Sequence, residues 1–510
     1  MRRLENADIW DSAGRLLPAA AFVCGGVMGL MIALVSWLNL AGKTAPAALA
    51  LLYLAAGAGA ALAVIALCRT VPIKSGLQFC ICLAAAAFAV RLVFVLLVPM
   101  EPISDFGAMY DAAQHLAAGD NIMNDKPYFQ RWPYQSGFVA WMALWIRLFG
   151  ADVFFFQVTN CLFGAGTAVL VYGLARRFAS HRGAMAAGVL YLFYPGSVRL
   201  APVLTNQHLS ELLLLAALYV ATGGEGRVKT RLLRGAAAGA LLALSNAVRP
   251  AVIVAVLAVP AVLLLDLFRW KELGRAGLPP IAGGALATVA VYVLATRGIS
   301  WLAQATGLNQ YGLTSQVPMW KFAVGLNEAS KGEWNEADDA IVFASDLLVE
   351  NRAAARRLLE ERLAELTPGR LLILFWEKIK TMWGEFEVTQ WTFAADGTEA
   401  DAAQGLAGRL NWALSQVVRI ASGFAVANSL LIAAGCIRAA WKKDPGREAA
   451  LLLTLTALAY FCAHLLIEIQ TRYRTTLFAV AIPLTAIGAD WLAEWCGRLL
   501  ERRKEKRKET

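Results

Sequence analysis

Charge is scarce in this chain: Asp, Glu, Lys and Arg make up 16% of its 510 residues, and there are only four histidines. A soluble domain carries about 25% charged residues, so an ordinary soluble fold is excluded, as is a disordered chain, which needs high charge and low hydrophobicity. Cysteine is missing from the polar stretches. Cys24, Cys68, Cys80, Cys82, Cys161, Cys436, Cys462 and Cys496 all fall in or beside apolar runs, which excludes a disulfide scaffold and predicts small buried hydrophobes. The Cys80-Ile81-Cys82 pair has no further ligands nearby, so it gives no metal signal. A small-residue cleavage site is absent after the first apolar run, so the mixed-charge residues 1–11 are expected to stay as a cytoplasmic start. No internal inverted repeat with paired broken helices is visible, which weakens a secondary-transporter reading.

What the chain has in abundance is apolar length. It is 58% hydrophobic with mean hydropathy +0.54, and a spanning helix needs about 20 apolar residues. The expected fold is therefore an all-α polytopic membrane protein with about 12 transmembrane helices. Crossings are predicted at 16–40, 45–67, 77–98, 153–175, 183–204, 209–222, 232–248, 251–268, 281–295, 410–437, 449–467 and 475–495. The formal charge of +10 sits in short clusters between these runs: Arg69 with Lys74, Arg176-Arg177 with Arg182, 227–234, Arg269 with Lys271, Arg438 with Lys442-Lys443, and the tail. That is the positive-inside pattern of a membrane protein and gives no nucleic-acid stripe. Placing every basic cluster inside puts both termini in the cytoplasm. The polar stretches 99–133, 205–211 and 297–369 then fall outside, and the segment 105–118 reads as a short helix at the interface. Two shorter amphipathic helices, 134–149 and 371–383, are expected to lie at the interface without crossing.

Four polar clusters then share the outer face: Glu101 to Phe106, Thr205 to Glu211, Gly325 to Asn335, and Glu468 to Arg474. Ionisable residues at membrane depth are costly and invite a functional reading. Ser104 or Asp105 has a structural alternative as N-cap of the helix 106–118; otherwise Asp105 is a partly desolvated carboxylate able to act as a general base. Glu101 and Asp111 are weaker candidates. Arg472 and Arg474 lie on the face that disfavours cations. They either snorkel or pair with Glu468, or they hold an anion, most naturally a phosphate or diphosphate. Arg249 poses the same question. Trp334, among Asn327, Lys331 and Asn335, suits a sugar ring or a plain turn into a helix at 338–366. His208 and Glu211 share a helical face but lack a third metal ligand.

Together, Ser104-Asp105-Phe106 with Tyr110, Trp132-Pro133-Tyr134-Gln135-Ser136-Gly137 with Leu148-Phe149-Gly150, Gly325-Leu326-Asn327 with Ser330-Lys331-Gly332-Glu333-Trp334-Asn335 and Asp338, and Glu468, Gln470 and Arg472-Tyr473 resemble a known family. It is that of the GT-C membrane glycosyltransferases, in particular the bacterial relatives of dolichyl-phosphate-mannose protein mannosyltransferases and the aminoarabinose lipid A transferases. The resemblance implies a GT-C-like bundle in a bacterial cell membrane with an extracytoplasmic active site. It divides the chain into two extra helices (1–76), a core (77–296) with the first catalytic loop at 99–133, a large loop (297–383), C-terminal helices (384–497) and a basic tail (498–510). It implies transfer of a sugar from a polyprenyl-phosphate lipid to an acceptor hydroxyl on a protein, a glycolipid or a cell-wall polymer. Asp105 would be the catalytic base, and Arg472, Arg474, Arg249 and Lys331 would hold the phosphate. Asn327, Trp334, Asn335 and Glu211, with Glu468 and Tyr473, would shape the binding pocket. Many members carry a paired acidic motif where this chain has Asp105-Phe106, so no obligatory cofactor is expected, with a divalent metal as the alternative. The partners implied are the lipid-linked sugar and membrane lipids, with no nucleic acid. The competing readings are a flippase or transporter of lipid-linked sugars and a non-enzymatic envelope-assembly protein. A transport route would need midplane charge, for which Arg91, Asp266 and His464 are the only candidates.

Overall fold

The computed structural model describes residues 2–44, 46–73, 75–98, 100–223, 227–267, 270–384, 405–442 and 446–509. Lys74, Arg269 and Lys443, and the side chains of Asp266, Lys271 and residues 2–11, lie outside the described part. Among the described residues there is no strand, and the chain folds as a membrane-type bundle of helices. In chain order these are α1 (Arg2–Gly42), α2 (Ala47–Thr70), α3 (Gly76–Leu97), α4 (Ser104–Ala118), α5 (Pro127–Arg131), α6 (Ser136–Phe149), α7 (Val153–Ala175), α8 (His181–Leu192), α9 (Pro195–Arg199), α10 (Gln207–Ala221), α11 (Val228–Val248), α12 (Ile253–Leu267) and α13 (Trp270–Ala305). There follow α14 (Met319–Gly325), α15 (Glu336–Val342), α16 (Leu348–Glu365), α17 (Pro368–Ile379), α18 (Gly405–Trp441), α19 (Arg447–Leu466), α20 (Arg474–Ala481) and α21 (Thr485–Glu509).

Eight segments among the described residues are long and apolar enough to cross a membrane: Leu16–Gly42, Ala47–Thr70, Gly76–Leu97, Val153–Ala175, Pro279–Ala305, Gln416–Trp441, Arg447–Leu466 and Thr471–Arg503. The other four expected crossings take shorter or more polar forms. The run 183–204 breaks at Tyr194-Pro195, because proline has no N–H to continue the ladder and instead opens α9. α10 and α12 have 15 residues each, about 22 Å at 1.5 Å per residue, against roughly 30 Å of bilayer core. α11 is 21 residues long but begins with Lys229, Arg231 and Arg234. α13 runs ten residues past the expected end at 295. The expected helix 338–366 is two helices, α15 and α16. α6 and α17, with 14 and 12 residues, are too short to cross alone.

Connections sort to two ends of the bundle. At one end Arg182 reaches the Cys68 carbonyl (3.1 Å) and Arg69 pairs with Asp490 (3.2 Å), which also binds Ser180. At the other end the loops form two small cores of their own. Phe106, Met109, Phe129, Phe138 and Met142 close the first loop over α6. Trp320, Val324, Val342 and Ala355 close the large loop and take in Trp132 from the first. The large loop is tied down by Lys378, fully buried, whose ammonium nitrogen donates to the carbonyls of Gly325 (2.7 Å) and Ile467 (2.8 Å). Of the cysteines, Cys68, Cys161 and Cys436 are buried, whereas Cys24, Cys82, Cys462 and Cys496 are exposed and Cys80 is half-buried. The expectation of uniform burial is therefore corrected: the outside of a spanning helix faces acyl chains, where a thiol needs no protein cover.

Candidate functional site

Asp105 is not a helix cap. α4 starts one residue earlier, at Ser104, with Ile103 in the cap position making no side-chain bond. Ser104 holds φ at 52°, in the left-handed region that costs a non-glycine residue about 1–3 kcal/mol. Asp105, in the first turn and 44% exposed, lies with Oδ2 4.0 Å from an Nη of Arg472. The acid and the arginine from opposite ends of the chain therefore meet.

Arg472 sits in a tight turn, Thr471–Tyr473, between α19 and α20. Its side chain is 7% exposed, so it does not snorkel. Its Nε donates to Gln470 Oε1 (2.6 Å), its carbonyl accepts from Gln207 Nε2 (2.9 Å), and its guanidinium lies 4.9 Å from the Phe106 ring centre. Tyr473 carries two guanidinium groups near its ring, Arg472 at 5.4 Å and Arg249 at 4.8 Å, an arrangement favoured by the ring quadrupole. Arg249 also donates to Asn206 Oδ1 (2.9 Å). Arg474 is buried beside Tyr194 and Arg199. Two residues along a helical turn point roughly 200° apart, so the cation sharing a ring with Arg472 is Arg249, not Arg474.

Glu468 pairs with Lys321 of α14 and accepts from Gln470 (2.8 Å). Burial would raise its carboxyl, yet the Lys321 ammonium, Gln470 and Arg472 hold it below the ordinary carboxylate value. Lys321, which burial would lower, is correspondingly held well above the usual lysine range by Glu468, Tyr473 and Tyr134. The first loop contributes two phenols. Burial, with the nearby Asp105 carboxylate, pushes Tyr128 far up, and burial pushes Tyr134 up to about 12. Both stay protonated at neutral pH.

The remaining candidates lie around this centre in different ways. Glu211 is buried beneath it, accepting from the hydroxyls of Thr475 (2.6 Å) and Thr476 (2.8 Å). His208 bonds the Leu200 carbonyl (2.9 Å), and among the described residues no group of three His, Cys, Asp or Glu is placed to hold a metal ion. Asn327 and Asn335 both donate to Asp338 Oδ2 (2.9 and 2.8 Å), and Arg362 pairs with its Oδ1 (2.6 Å). Burial would raise Asp338, but Arg362 and the two amides hold it low. Those asparagines therefore brace the large loop. Lys331 is half-exposed and lies 3.7 Å from Glu377. Trp334 bonds Asp339 (3.3 Å) through its indole nitrogen and is 53% exposed. Glu101 is exposed, and Asp111, 62% exposed, approaches His115 (3.8 Å).

The structure thus brings Asp105, Arg472, Tyr473, Arg249 and Glu468 together and seats Glu211 directly below. Lys331 and Trp334 are set on the large loop. Sequence reasoning missed Lys321, Lys378 and Tyr128, and gave the Asn206-Gln207 pair no role although it lies in the 205–211 cluster. The Asn206-Gln207 pair had a signal, since two amides open an otherwise apolar helix. No family model matches the chain, and no curated protein matches it.

Proposed function

We propose that this chain is an integral-membrane glycosyltransferase. It moves a sugar from a polyprenyl-phosphate carrier to an acceptor hydroxyl on the extracytoplasmic side, with inversion. The single observation that carries this reading is the meeting of Asp105 with Arg472, 4.0 Å apart, in a cluster whose other cation is Arg249. A half-exposed carboxylate suits an acceptor, and a guanidinium pair of buried Arg472 and half-buried Arg249 suits an amphiphile's phosphate held where loops meet spans. In the reaction, Asp105 takes the acceptor's hydroxyl proton as the oxygen attacks the anomeric carbon opposite the phosphate. The bond from that carbon to the phosphate oxygen breaks, and the electron pair leaves with the lipid phosphate. Arg472 and Arg249 stabilise the developing charge, so no strong general acid is required. The exposed Trp334 offers a stacking face for a sugar.

One observation favours movement of a lipid-linked sugar as a second reading. The helix break at Tyr194-Pro195 lies beside a fully buried Arg91, which bonds Ser197 (3.0 Å) and the Leu192 carbonyl (3.4 Å). One assay separates the two. Purified protein in detergent with labelled lipid-linked sugars should release free polyprenyl phosphate, and Asp105→Asn should lower that rate by about 10²- to 10⁴-fold, the usual general-base contribution. Wild-type turnover by a folded Asp105→Asn protein rejects the base. Flux across proteoliposomes with no release under any donor rejects the transferase.

A further inference from the structure

At the basic end of the bundle lies a cavity of about 370 Å³ lined by Arg176, Arg177, Arg438, Lys442, Asp490 and Glu494. It is remote from Asp105. α7 alone separates Asn160, bonded to the Ala201 and Val203 carbonyls near the site, from Arg176 by some 16 residues, about 24 Å of helix. The volume falls in the roughly 300–1,000 Å³ range of small-ligand sites.

Among the described residues four cations and two carboxylates line it, and both carboxylates are engaged. Asp490 accepts from the Ser180 hydroxyl (2.6 Å) and backbone nitrogen (2.9 Å) and pairs with Arg69 (3.2 Å). Glu494 pairs with Arg438 (3.2 Å). Arg177 has a different standing. Its guanidinium lies 4.5 Å from the Tyr219 ring centre and lines the cavity. A guanidinium stacked on a ring is a planar fork suited to an oxyanion. Trp491, on the same lining, is the residue type that settles at headgroup level.

We infer that this cavity binds a phosphate group, carried either by an anionic phospholipid whose headgroup enters between the helix ends or by a soluble phosphate. Basic pockets between spanning helices are suited to such headgroups. The site is independent of the transfer reaction proposed above, and its test does not use that activity.

The experiment is native mass spectrometry of the full chain in non-ionic detergent, titrated with phosphatidylglycerol, with phosphatidylcholine, and with phosphatidylglycerol in the presence of inorganic phosphate. Wild type should prefer phosphatidylglycerol by tenfold or more. Arg177→Gln with Lys442→Gln should cut phosphatidylglycerol affinity by about 25-fold, and Lys442→Gln alone, a change at the exposed rim that leaves the core intact, by about 5-fold. Displacement of the lipid by millimolar phosphate assigns the cavity to a soluble phosphate; resistance assigns it to the lipid. Equal binding of the two lipids by wild type without phosphate binding overturns the inference. So does an unchanged preference in a folded Lys442→Gln protein.

Discussion

A lysine buried away from water is pushed to lose its proton because burial penalises the charged form, and the neutral amine still has two N–H groups for its two carbonyl partners. Lys378 is in that position: burial lowers it to about 7, with Glu468 pulling the other way. Its ordinary value is 10.5, so between about 7 and 10.5 the unfolded chain binds a proton that the folded chain does not. Stability should therefore rise with pH across that window, and the full penalty is felt below it. Thermal unfolding followed from pH 6.5 to 9.5 should show this rise. Lys378→Met should flatten it while lowering stability by about 1–3 kcal/mol for the orphaned carbonyls; a pH slope that survives the substitution would remove Lys378 as its source. Such a residue was illegible in the sequence, where Lys378 is one of three charges, with Glu377 and Lys380, in a short helix expected to lie at the interface. Asp105 and Arg472 stood out in the sequence because charge beside an apolar run is costly, although each also had a structural alternative. The N-cap alternative for Asp105 fell only when the helix proved to begin at Ser104.

Elements at the loop-bearing end depend on close backbone approach more than on side-chain fit. A Cβ at Gly325, the last residue of α14, would strike the backbone of Leu466 and Ile467 at the end of α19. The Ile469 backbone nitrogen donates to the Gly332 carbonyl (2.9 Å) beside that contact. Gly325→Ala should thus lever the large loop away from the turn that carries Arg472, at roughly 1–3 kcal/mol. Faster limited proteolysis within residues 326–367, with the spanning helices intact, is the expected result. Unchanged cleavage would show that the loop does not dock there. The long spans were readable because apolar runs over 20 residues have one solution in a bilayer. α8 and α9 were not, because apolar composition on both sides of Pro195 hid the break. The short α10 and α12 likewise read as crossings by composition, although α10 opens at the site end on the polar Gln207 and His208.

At the scale of the whole molecule, among the described residues, Arg69, Arg176, Arg177, Arg182 and Arg438 gather at one end and the loops that carry Asp105 and Arg472 at the other. In a cysteine-free background, single cysteines at the exposed positions Asp120 and Glu350 should react with an impermeant maleimide from one side. Cys496 restored alone should react only from the other. Labelling of Asp120→Cys and Cys496 from the same side would overturn the arrangement. The contact between Asp105 and Arg472 has a consequence for biogenesis. One partner emerges with the fourth helix and the other only just before the last ones. At 5–20 residues per second of synthesis, tens of seconds separate them. A nascent or truncated chain can therefore be inserted in the membrane, anchored and apparently intact, while its two charged halves have never met. Synthesis past Arg472 is itself the step that allows the contact, and a ribosome stalled anywhere in between leaves a chain in which it has never formed.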